Sequence, residues 1–119
     1  MISGARRLAK RLVERALVAG GAPRLLRAAA DGDSVVLAYH NVVPDGEPAG
    51  GDRSLHLPRA EFARQLDLLT RTHRVVELET LLTEERIGGE APRAAITIDD
   101  AYRGALTVGT AELEARELP

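Results

Sequence analysis

The stretch Arg93-Ala94-Ala95-Ile96-Thr97-Ile98-Asp99-Asp100 decides how this sequence is read. From Ala94 to Ile98 the residues are mostly apolar, as in a strand buried on both faces, and the run ends in two adjacent carboxylates. Open α/β sheets and α/β barrels hold their sites at the carboxyl ends of such strands. Neighbouring residues of a strand point to opposite sides, so Asp99 and Asp100 need not do the same job. One can bind a hard cation while the other acts as a base, and a metal beside them offsets their repulsion. In the purely structural alternative one acid caps the following turn and the other is solvated. A paired acid directly after a buried strand favours the functional reading.

Working toward the N-terminus, residues 79–87 read as a short helix stopped by Gly88-Gly89, and 73–78 as a short strand. A helix begins near Pro58, a favoured first helical position, with Phe62, Leu66 and Leu69 on one face. Residues 44–54, rich in Gly, Pro and Asp, read as a loop, and its length after a buried strand suits a functional role. Residues 34–40 (SVVLAYH) form a second nearly all-apolar run, entered through the turn signal Asp31-Gly32-Asp33. Beyond the acids, helical character returns from about Thr110. Alternation of this kind predicts parallel βα units.

Residues 5–19 read as an amphipathic helix, with Leu8, Leu12, Val13, Ala16 and Leu17 near helical spacing, ended by Gly20, Gly21 and Pro23. Its two readings are a helix packed on the domain with a solvated basic face, and a helix that binds an anionic membrane surface or a partner. Residues 1–30 hold seven basic residues and one acid, a local charge of +6 within a chain of net charge −2. A basic leader thus precedes an acidic body, and the overall charge gives no ground for a nucleic-acid partner. With no cysteine, disulfides and thiolate metal sites are excluded. No apolar run reaches the roughly 18–20 residues of a membrane span. The N-terminus lacks the continuous apolar stretch of a signal peptide, since Glu14 and Arg15 interrupt it, so a cytoplasmic or peripheral membrane location is expected.

Two families that end a strand in paired acids fit poorly. A Walker B element requires a phosphate-binding loop with Gly-Lys-Ser/Thr, and the only lysine, Lys10, is not in one. A phospho-acceptor receiver carries its acids at the first strand, whereas two strands come first here.

Three stretches in the right order resemble the polysaccharide deacetylase family, the NodB-homology domain. Residues 36–43 (VLAYHNVV) are similar to its opening strand, which commonly ends in Tyr-His. Residues 57–82 look like its next helix, strand and helix, and residues 95–106 (AITIDDAYRGAL) resemble its first signature, usually Thr-Phe-Asp-Asp-Gly. The resemblance covers roughly residues 34–119. It implies an α/β fold, the N-terminal part of an incomplete (β/α) barrel preceded by the amphipathic helix. Residues 1–30 would be the basic helical segment and 31–119 a partial domain truncated at its C-terminus.

The resemblance further implies hydrolysis of the N-acetyl group of an N-acetylated carbohydrate, a non-peptide amide bond, with a divalent metal, usually zinc. Asp99 matches the catalytic base and Asp100 a metal ligand, while His40 is a candidate to line the pocket. Ile98 replaces the usual Phe, and Ala101 the usual Gly, a change that costs about 1 kcal/mol if the position needs positive φ. The family completes its metal site with a later His-x-x-x-His motif. His40, His56 and His73 are the only histidines and cannot form it, so the chain is expected to be inactive alone. His56 and His73 read as surface residues. The competing expectation is a non-catalytic remnant that binds a membrane or partner through the basic helix. Exposed strand edges predict self-association in either case.

Overall fold

The computed structural model describes residues 13–16, 26–27, 29–47 and 55–119. Among the described residues, eight elements with both ends defined precede the paired-acid turn. They are β1 (Val13–Ala16), β2 (Val35–Tyr39), β3 (Asn41–Val43), β4 (His56–Pro58), α1 (Arg59–Thr72), β5 (Arg74–Val75), α2 (Leu78–Thr83) and β6 (Arg93–Ile98). A π-helical turn (Ala105–Gly109) then leads into α3 (Thr110–Glu114). A four-stranded parallel sheet runs β1-β2-β6-β5, and β3 and β4 pair as a separate two-stranded parallel ribbon. The α/β class with parallel strands follows from the alternation of apolar runs and helical spacings. A regular (β/α) barrel sets successive strands side by side. Here β6 stands between β2 and β5 instead.

β6 fits the interior of the sheet because Ala94 and Ala95, which follow Arg93, are small and apolar, and both are fully buried. Val35, Leu37 and Tyr39 of β2 join them in the core. Helix α1 lays Phe62, Leu66 and Leu69 onto this core, each fully buried and each worth about 1.5–3 kcal/mol of transfer free energy. Phe62 meets the Tyr39 ring edge-on at 4.8 Å. The same face carries Gln65, whose burial is made tolerable by two bonds. Tyr39 Oη donates to Gln65 Oε1 at 3.0 Å, and Gln65 Nε2 donates to Glu61 Oε1 at 3.1 Å. Burial, helped by the Glu61 charge, pushes the Tyr39 phenol above its ordinary range.

Helix α1 starts directly after Pro58, which offers no side-chain cap. Asp45, across the preceding loop, takes that part: Ala60 N donates to its Oδ1 at 2.9 Å, and Arg59 reaches its Oδ2 at 3.0 Å. At the other end His73 N donates to the Leu69 carbonyl at 2.8 Å. Arg93, buried at the start of β6, donates to the carbonyls of Glu84 and Glu85 and to the Glu90 carboxylate.

Several expectations are corrected. Val13–Ala16 is a strand, not part of a helix over 5–19, and the other residues of that expected helix lie outside the described residues. Its backbone pairs with β2 from Val13↔Val35 to Ala16↔Ala38. An unpaired row of β2 donors and acceptors outweighs a local helical spacing worth only tenths of a kcal/mol per residue. His73 is not at the surface; it is 4% exposed. His56, also expected at the surface, lies half-buried in β4.

Candidate functional site

The site forms where β2 and β6 end together. Tyr39 pairs with Ile98, and the next backbone bond, Asp99 N to the Tyr39 carbonyl at 2.8 Å, carries the register one step further. His40 and Asp99 therefore leave the sheet side by side at its carboxyl end. His40 Nε2 lies 3.9 Å from Asp99 Oδ2 and 4.0 Å from Asp100 Oδ2. The imidazole is 25% exposed, while the two carboxylates are 55% and 70% exposed. All three residues singled out in the sequence thus meet in one open corner.

After Asp99 the chain turns through two left-handed residues, Asp100 at φ 64° and Ala101 at φ 43°. Asp tolerates this region through its short polar side chain; Ala pays a steric penalty of about 1–2 kcal/mol. The left-handed turn stops β6 abruptly and leaves both carboxylates presented to solvent. Held strain of this sort is a feature of functional turns.

The π-helical turn packs on β3, the strand that follows His40. A Cβ on Gly104 would strike the Val42 carbonyl oxygen and lie 2.5 Å from Asn41 Oδ1, and one on Gly109 would press on Val42 Cγ2 at 3.3 Å. Two glycines five apart face the same strand because the helix is widened there, so its backbone can lie directly on β3.

Sequence reasoning missed two members of this corner. Asn41 and His56 are register partners in β3 and β4, and Asn41 Nδ2 donates to His56 Nδ1 at 3.1 Å. The His56 ring meets Tyr102 edge-on at 5.8 Å. Three-residue strands are too short to show alternation, so no local pattern marks them.

A hard or borderline cation would find suitable donor types here, two carboxylates and an imidazole. Neighbouring ligands of a tetrahedral zinc stand about 3.4 Å apart, a little closer than the His40–carboxylate separations. Among the described residues no three His, Asp or Glu side chains form a metal-binding group as they stand. No family model, curated protein or solved structure matches the chain. Fold and site define a parallel α/β protein with a paired-acid turn at the carboxyl end of an interior strand.

Proposed function

We propose that Asp99 and Asp100 belong to a hydrolytic site acting on the N-acetyl group of an N-acetylated sugar or polysaccharide. The observation that carries this reading is the paired-acid turn at the end of β6, with His40 Nε2 within 4.0 Å of both carboxylates. Asp100 would hold a divalent ion, zinc by preference. When bound, that ion supplies a water of lowered pKa and polarises the acetamide carbonyl. Asp99 would accept the proton of the attacking water, and His40 lines the pocket beside it. Water and amide give acetate and a free amine on the sugar.

The parallel strands and the acids at their carboxyl end also support placement in an incomplete (β/α) barrel of the polysaccharide deacetylase type. The position of β6 between β2 and β5 departs from regular barrel order. A catalytic zinc takes three protein ligands, so Asp100 needs two further donors. The expected behaviour of these 119 residues alone is therefore weak metal binding and no turnover.

Zinc calorimetry on the purified chain and on Asp100→Ala tests the reading. Weak binding that disappears in the variant is the expected result. Binding that Asp100→Ala leaves unchanged, or no binding at millimolar zinc, would count against it.

A further inference from the structure

The acid turn has a backbone hydrogen bond on each side, and at its exit a side-chain contact adds to that hold. At the entry, Asp99 N donates to the Tyr39 carbonyl at 2.8 Å. Asp100 and Ala101 then follow in left-handed conformations that most residues avoid. Two strained residues in succession hold their geometry only if something fixes both ends. The exit residue is Tyr102: its carbonyl accepts from Leu106 N at 3.1 Å, and its ring meets His56 edge-on at 5.8 Å and an interplanar angle of 81°.

His56 is itself held. It is the register partner of Asn41, whose Nδ2 lies 3.1 Å from His56 Nδ1. An amide nitrogen can only donate, so Nδ1 accepts and the ring proton sits on Nε2. Asn41 in turn has little room to move. Its Oδ1 is buried without a partner among the described residues, and it lies against Gly104, where a Cβ would stand 2.5 Å away. Asn41 also directly follows His40, so one backbone segment carries both the pocket imidazole and the anchor of the His56 ring.

We propose that His56 is a positioning residue, and that the Asn41–His56–Tyr102 chain, added to the Leu106–Tyr102 backbone bond, orients the exit of the turn presenting Asp99 and Asp100. The proposal rests on the reading of those acids as site residues. His56 does not touch the reacting atoms; it acts through Tyr102. The ribbon of β3 and β4 thereby has a role in the site, bringing a side chain 15 residues from Asn41 against the acid turn.

NMR of the full chain tests this without any metal or substrate. Long-range proton–nitrogen correlations in the unaltered chain should show the Nε2-protonated tautomer of His56; the Nδ1-protonated form would overturn the proposal. In His56→Leu, backbone resonances of Asp99 to Tyr102 should shift while those of Phe62 and Leu66 in the core stay in place. His56→Phe keeps an edge-on ring and should restore the Asp100 and Ala101 resonances toward their original positions. Turn resonances unmoved in His56→Leu would overturn it. Because zinc binding is read separately, a turn that responds to His56 in a chain that binds no zinc leaves the positioning role standing and removes the metal reading.

Discussion

Ala101 sits at φ 43°, where a Cβ is crowded by the backbone and glycine is at ease. Ala101→Gly should therefore stabilise the chain by about 0.5–1 kcal/mol, the relief of strain exceeding the added freedom of the unfolded chain. A higher urea midpoint at unchanged slope is the expected result; a lower midpoint would show that the left-handed backbone carries no strain here. The two acids and His40 were legible as residues because they end apolar runs. The sign of φ at Ala101 was not, since it depends on where β6 must stop. Burial of His73 was equally hidden: its ring bridges Thr72 Oγ1 at 2.8 Å and the Asp33 carbonyl at 3.2 Å, a contact across 40 residues.

At the level of elements, that ring ties the end of α1 to the turn before β2. Burial lowers the His73 pKa from its ordinary 6.5, more than the Asp33 carbonyl raises it. Folding thus favours the neutral ring, because the unfolded chain binds its proton more readily. The contribution is complete above pH 6.5 and is lost as pH falls from there through the depressed folded value. Thermal melts between about pH 7 and about pH 5 should show a steeper loss for the unaltered chain than for His73→Asn, which cannot titrate. Equal slopes would mean that the ring is accessible to protons when folded.

The packing of the π-helical turn on β3 is testable in the same spirit. In Gly104→Ala the new Cβ meets the Val42 carbonyl oxygen, which is backbone and cannot swing aside. A loss of about 1–3 kcal/mol in denaturant unfolding is expected. A neutral effect would show that the helix can stand off the strand. Helix α1 was readable from Phe62, Leu66 and Leu69 because its one apolar face repeats over several turns. β3 and β4 escaped notice because three residues carry no period.

Over the whole molecule, the sheet has β1 at one edge and the two-residue β5 at the other. So short an edge as β5 offers little template for another strand, whereas β2 is longer and apolar. Deleting residues 1–30 would remove the partner that Val13–Ala16 gives to β2. Concentration-dependent self-association of the shortened chain in sedimentation velocity is the expected outcome. A shortened chain that stays monomeric would show that β1 protects no edge. By itself the sequence determined the α/β class, the buried strand with its paired acids, the apolar face of α1 and the nearness of His40 to a strand end. Each of these is a local pattern that apolar burial translates directly into structure. Only the tertiary structure decided that Val13–Ala16 is a strand, that β6 stands between β2 and β5, and that His56, bonded to Asn41, meets Tyr102 just past the acid turn. Parallel pairing joins segments far apart in the chain, so its partners are chosen by which backbone edges remain open once the core has formed.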